Sequence, residues 1–93
     1  MLIAGYDEKD GPALYWLDYL ATMHHMNIAG TGYGSYFVLS MFDKLYKPDV
    51  TQAEALDMMI KGVEEVKRRL VVAPPAYKVV VIDRDGVRDV KDL

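Results

Sequence analysis

The run Ala13–Leu20 reads as a β-strand with apolar or aromatic side chains on both faces. Alternation puts Leu14, Trp16, Asp18 and Leu20 on one side and Ala13, Tyr15, Leu17 and Tyr19 on the other. A strand with one wet face would alternate apolar and polar residues more cleanly, so this sheet is expected to be covered on both sides. The run from about Ser35 to Tyr46 makes a similar demand as a helix. Tyr36, Phe37, Val38, Leu39, Met41, Phe42, Leu45 and Tyr46 go most of the way round it, and Asp43 and Lys44 are its only charged residues. A helix apolar nearly all round belongs inside a larger body. Yet 93 residues make one small domain. The 52% of apolar residues suffices for a core, but the pattern spreads them over more faces than these elements can cover.

The remaining elements follow from local chemistry. Met1–Tyr6 and Ala13–Leu20 flank the polar stretch Asp7-Glu8-Lys9-Asp10-Gly11-Pro12, which predicts a β-hairpin with a loop longer than two residues. Ala21–Thr31 reads as an irregular connector. Lys47-Pro48-Asp49-Val50 breaks the chain, and Thr51-Gln52-Ala53-Glu54 is a capping box that opens a helix over about 51–70. Leu56, Met59, Ile60, Val63, Val66 and Leu70 form its predicted apolar stripe. Asp57 with Lys61, Glu64 with Arg68 and Glu65 with Arg69 are i, i+4 pairs, and Lys67-Arg68-Arg69 suits the negative end of the helix dipole. Gly62 costs roughly 1 kcal/mol relative to Ala in a helix interior. Its place beside the stripe predicts a close helix–helix approach. Pro74-Pro75 ends this section, Tyr77–Ile82 is a β-branched strand, Asp83-Arg84-Asp85-Gly86 a turn and Val87–Val90 the return strand. The expected fold is α+β and antiparallel, in the order β-β-α-α-β-β.

Candidate chemistry is sparse. Eleven basic against fourteen acidic residues give net −3, which offers no excess charge for a nucleic-acid backbone. The absence of cysteine excludes disulfides, thiolate metal sites and a cysteine nucleophile. Apolar runs such as Leu70–Ala73 and Val79–Ile82 fall far short of the roughly 20 residues of a membrane span. Met1–Gly5 has no basic n-region of a signal peptide. Met23-His24-His25-Met26 suggests a soft-metal cluster, but neighbours in an extended segment point apart and no further His exists, so no metal is expected. Gly30-Thr31-Gly32-Tyr33-Gly34-Ser35 opens a helix like a phosphate cradle. It lacks the Lys of a P-loop and the preceding strand of a dinucleotide fingerprint, and a tight turn is the simpler reading. Ser35 has no adjacent base. No catalytic, cofactor-binding or metal residue is therefore assigned.

Several blocks together carry a resemblance. Leu2-Ile3-Ala4-Gly5-Tyr6-Asp7, Gly11-Pro12-Ala13-Leu14-Tyr15 continuing to Asp18-Tyr19-Leu20, and Gly32-Tyr33-Gly34-Ser35 resemble the beta-type subunits of the 20S proteasome. Tyr15-Trp16-Leu17-Asp18-Tyr19, Arg69-Leu70-Val71-Val72-Ala73-Pro74-Pro75 and Ile82-Asp83-Arg84-Asp85-Gly86 look like the non-catalytic type-2 kind, which takes the beta-4 ring position. The resemblance runs nearly end to end. It implies an N-terminal-nucleophile hydrolase fold, in which two stacked antiparallel sheets lie between helical layers. It also implies that residues 1–93 correspond to the C-terminal half of such a domain, the half that lacks the nucleophilic Thr with its Lys and Asp. The abrupt strand at Met1 agrees with that expectation.

Active relatives carry Arg-Asp-x-x-Ser-Gly-Gly after the second helix. Here Leu70 stands for the Asp and Ala73 for the Ser, and neither can support a nucleophile. Only Ser35 matches a polar residue near their active site. The resemblance thus implies a structural, non-catalytic subunit. It would work with other alpha- and beta-type subunits in the cytoplasm and nucleus, without cofactor, nucleic acid or membrane. Its expected contact surfaces are the 21–31 connector, the exposed face of helix 51–70 and the terminal hairpin. The alternative is part of a threonine-type amidohydrolase whose catalytic half lies elsewhere; Leu70 and Ala73 argue against it.

Overall fold

The computed structural model describes residues 1–71 and 76–93. Its elements are β1 (Leu2–Asp7), β2 (Gly11–Leu17), β3 (Met23–His25), α1 (Ser35–Leu45), α2 (Gln52–Arg69), β4 (Lys78–Asp83) and β5 (Gly86–Asp92). All pairing between strands is antiparallel, in one sheet ordered β1-β2-β3 and a second formed by β4 and β5. The α+β class stands as expected, with one strand more.

That strand lies in the stretch read as an irregular connector. The predicted second strand also stops early, at Leu17 rather than Leu20. Both corrections have one cause. Asp18 Oδ1 accepts hydrogen bonds from Leu20 N at 2.9 Å and Thr22 N at 3.0 Å, and Asp18 N donates to Thr22 O. A short acidic side chain that takes up local amides competes with the sheet ladder and turns the chain. Tyr19 and Leu20 then project from the turn, 94% and 70% exposed. The returning chain pairs Tyr15 with His25, Trp16 with His24 and Leu17 with Met23. Between β1 and β2 the loop is three residues, Glu8-Lys9-Asp10, and Gly11 takes φ +81° where the strand resumes. An L-residue pays for that conformation, and Gly does not.

The second hairpin turns on Arg84-Asp85; β4 is shifted one residue from the expected Tyr77–Ile82, and the return strand is longer than the expected Val87–Val90. Arg88 grips Asp83 through two hydrogen bonds of 2.8 Å, and Asp83 Oδ1 also accepts from Asp85 N at 2.9 Å. The planar fork of Arg matches a carboxylate in this way and fixes the two strands against each other. β4 packs beside β1 and β2, and Val79 is buried.

The main core lies between the helices. Val38 and Phe42 on α1 meet Met58 and Val66 on α2, with Ile28, Met41, Tyr46, Val50, Leu70 and Tyr77 packed around them. The buried line on α2 is Met58, Gly62, Val66, so the stripe is rotated from the predicted one, and Met59 is exposed. Periodicity alone could not choose between adjacent methionines; the position of Phe42 does. A Cβ on Gly62 would lie 2.7 Å from Phe42 Cζ and 2.9 Å from its Cε1. The predicted close approach is therefore real, and it is what the glycine permits.

The expected two-sided cover is not met by the described residues. β1 is exposed along its whole length and β2 is mostly half-buried. Helix α1 buries only Val38 and Phe42. Its two other aromatic residues, Tyr36 and Phe37, remain 79% and 37% exposed. The helices spend their best apolar face on each other, which leaves the sheet without a lid.

Candidate functional site

The structure separates the residues that looked chemical. Within β3, successive side chains leave on opposite faces: His24 stacks on Trp16 with ring centroids 6.0 Å apart, and His25 lies against Tyr15 at 5.2 Å. Each histidine serves as a cross-strand neighbour of an aromatic residue, which is the ordinary work of a sheet. Among the described residues no three His, Asp or Glu side chains are placed to hold a metal ion.

The Gly30–Ser35 segment is a turn entering α1. Gly32 takes φ +78°, and Ser35 Oγ donates to Gly32 O at 2.7 Å. The first amides of α1 are already engaged, since Ser35 N, Tyr36 N and Phe37 N donate to Gly32 O, Tyr33 O and Gly34 O. Amides closed on their own loop are not offered to a phosphate. Ser35 is thus held by the loop, with no histidine or lysine bonded to it among the described residues.

Leu70 caps the end of α2, donating its amide to Val66 O, and its side chain packs against the α1–α2 core. An apolar side chain used in packing has no proton to hold or give. Ala73 and the Pro74-Pro75 stop fall outside the described residues.

The three expected contact surfaces are open. Residues 21–27 are exposed, as are most of β5 and the outer side of α2. The capping box forms in both directions, Glu54 N to Thr51 Oγ1 at 3.2 Å and Thr51 N to Glu54 Oε1 at 3.3 Å. Lys47 adds an ion pair at 3.2 Å, and with the Thr51 bonds it holds the Glu54 carboxyl below its ordinary value. Asp57 pairs with Lys61 at 3.0 Å as expected. Glu64 does not pair with Arg68. Glu65 pairs with Arg69 as expected and also receives Arg68, and the two guanidinium groups, Arg69 foremost, lower its carboxyl. Sequence spacing treats i+3 and i+4 partners as equals. The rotation of α2 decides for Glu65, which the helix pair half shields.

Sequence reasoning missed the groove this creates between α1 and α2, because Lys67-Arg68-Arg69 had a sufficient explanation in the helix dipole. Tyr36, Phe37, Ser40 and Lys44, at helical spacing on one side of α1, were the available signal.

The described residues form an antiparallel α+β unit with a packed helix pair and an open first sheet. Residues 1–82 match the family model described as Proteasome subunit, and the chain belongs to the proteasome subunit family. It is similar to proteasome subunit beta type-2 of Oryza sativa subsp. japonica, 46% identical over 89 residues covering 96% of this chain and 42% of that protein. It is 42% identical to the probable proteasome subunit beta type-4 of Schizosaccharomyces pombe over 97% of this chain and 47% of the relative. With proteasome subunit beta type-4 of Saccharomyces cerevisiae it shares 37% identity over 100% of this chain and 48% of the relative. The chain therefore spans a little under half the length of these relatives.

Proposed function

We propose that this chain is a structural, non-catalytic beta-type subunit of the 20S proteasome. Its 93 residues correspond to the C-terminal half of an N-terminal-nucleophile hydrolase sandwich. It helps complete the beta ring around the proteolytic chamber, binding neighbouring alpha- and beta-type subunits while others cleave. In that setting it serves ubiquitin-dependent protein breakdown in the cytoplasm and nucleus. The observation that carries the reading is the continuous similarity to beta type-2 and type-4 relatives over 96–100% of the chain. The apolar Leu70, spent on packing, supports the non-catalytic part.

No helix among the described residues is long and apolar enough to cross a membrane. The open sheet and exposed aromatic residues agree with a chain that finishes its burial against other polypeptide. Affinity capture of the tagged chain from its own cell extract, with mass spectrometry, tests the proposal. Recovery of several other alpha- and beta-type subunits is expected. Recovery of none, in an extract where intact proteasome is demonstrable, overturns it.

A further inference from the structure

One face of the helix pair carries a charge opposite to that of the chain. Two adjoining cavities of about 420 Å³ and 360 Å³ share Met41 and Glu65 and form a groove along the α1–α2 junction. Its floor is apolar, from Phe37 and Met41, with Tyr36 and Ser40 on the rim. Its charged lining is Lys44, Lys61, Arg68 and Arg69 against Glu64 and Glu65; with Lys61 already paired to Asp57 beside the groove, one positive charge remains in excess, in a chain whose net charge is −3.

The arrangement of Glu65 gives the groove its chemistry. Its side chain is only 17% exposed and binds Arg69 through Nε and Arg68 through Nη2. One carboxylate thereby orients two guanidinium groups and neutralises one of them. Among the described residues the Nη groups of Arg69 and the Nζ of Lys44 have no hydrogen-bonding or ion-pair partner within the chain. Arginines already held in place lose less freedom when a second carboxylate arrives, and their remaining donors suit its geometry.

We propose that this groove docks an acidic segment of a neighbouring proteasome subunit, with a carboxylate at Arg69 and Lys44 and an apolar side chain over Phe37 and Met41. The inference rests on the subunit reading above and names one contact within it. Isolated exposed ion pairs contribute little; here the apolar floor and a pre-oriented arginine act together, as at the centre of protein interfaces.

A photo-crosslinking residue in place of Ser40, in the tagged chain expressed in its own cells, reads the contact directly. The expected product joins Ser40's position to an Asp- or Glu-rich segment of another proteasome subunit. The double variant Lys44→Glu/Arg69→Glu should lower its yield about tenfold while capture of other subunits persists. A product on a neutral or basic segment, a product on a second copy of this chain, or an undiminished yield overturns the acidic-docking proposal and leaves the subunit reading standing. Failure of the unsubstituted tagged chain to capture any proteasome subunit overturns both.

Discussion

At the scale of single residues, Gly62 shows how one missing atom sets a helix pair. Alanine there gains about 1 kcal/mol in helix propensity. Its Cβ meets the ring of Phe42 at 2.7 Å, and Phe42 is one of the most buried residues of the chain. Overpacking of a filled core costs about 1–3 kcal/mol, so the clash outweighs the propensity. Gly62→Ala is expected to lower stability in chemical denaturation. Adding Phe42→Leu, which removes the ring edge, should cost less in the Gly62→Ala background than in the native one. Equal costs in both backgrounds would mean that the ring is not what the glycine accommodates. The spacing beside a stripe was enough to expect close approach at Gly62. It did not reveal Phe42 as the neighbour, because no local pattern says which ring of a nearly all-apolar helix faces inward.

At the scale of elements, the β4–β5 hairpin depends on one carboxylate. Arg88, and after it the Asp85 amide, hold Asp83 below its ordinary value, and Asp83 in turn raises Arg88. For a carboxyl depressed in the folded state, the stabilisation is complete above the usual carboxylate range and is lost as pH falls through the folded value. Asp83→Asn should therefore be less stable than the native chain near neutral pH, and the difference should shrink below about pH 4. Thermal unfolding at neutral and acid pH measures this; an Asn variant with the full native acid sensitivity would remove Asp83 from the account. The hairpin itself was legible as β-branched run, turn with Gly last, and return strand. The bidentate pair was not, since Asp83 and Arg88 come together only once the register pairs Asp83 with Gly86 and Val81 with Arg88. The third strand was missed for a related reason. Met23-His24-His25 has no pattern of its own and is a strand because β2 offers it a partner.

At the scale of the whole molecule, the described residues bury little. No side chain is fully buried, and Leu2, Ile3 and Tyr6 lie exposed on a strand whose outer edge carries no partner among the described residues. Open edges with apolar faces recruit other chains. The isolated 93-residue chain is expected to associate, with a light-scattering mass that rises with concentration. A monomer at all concentrations, unfolding cooperatively and with slow hydrogen exchange along β1, would contradict this. The same incompleteness makes the subunit reading physically reasonable, because a neighbouring polypeptide can supply the missing cover.

The sequence by itself determined the class of fold, both helices with the Thr51–Glu54 cap, two hairpins and the excess of apolar faces. These follow from periodicity, capping and turn chemistry, which act within a few residues. Only the structure decided where Asp18 turns the chain, which face of α2 is buried, that Arg68 joins Arg69 on Glu65, and that the helices cover each other rather than the sheet. The buried face and the cover depend on contacts between residues far apart in the chain, while the Asp18 turn and the Arg68 pairing are choices among local partners that spacing leaves equal. A burial pattern read locally states a demand for cover without saying what meets it. The demand visible in Ala13–Leu20 is still open in the folded chain.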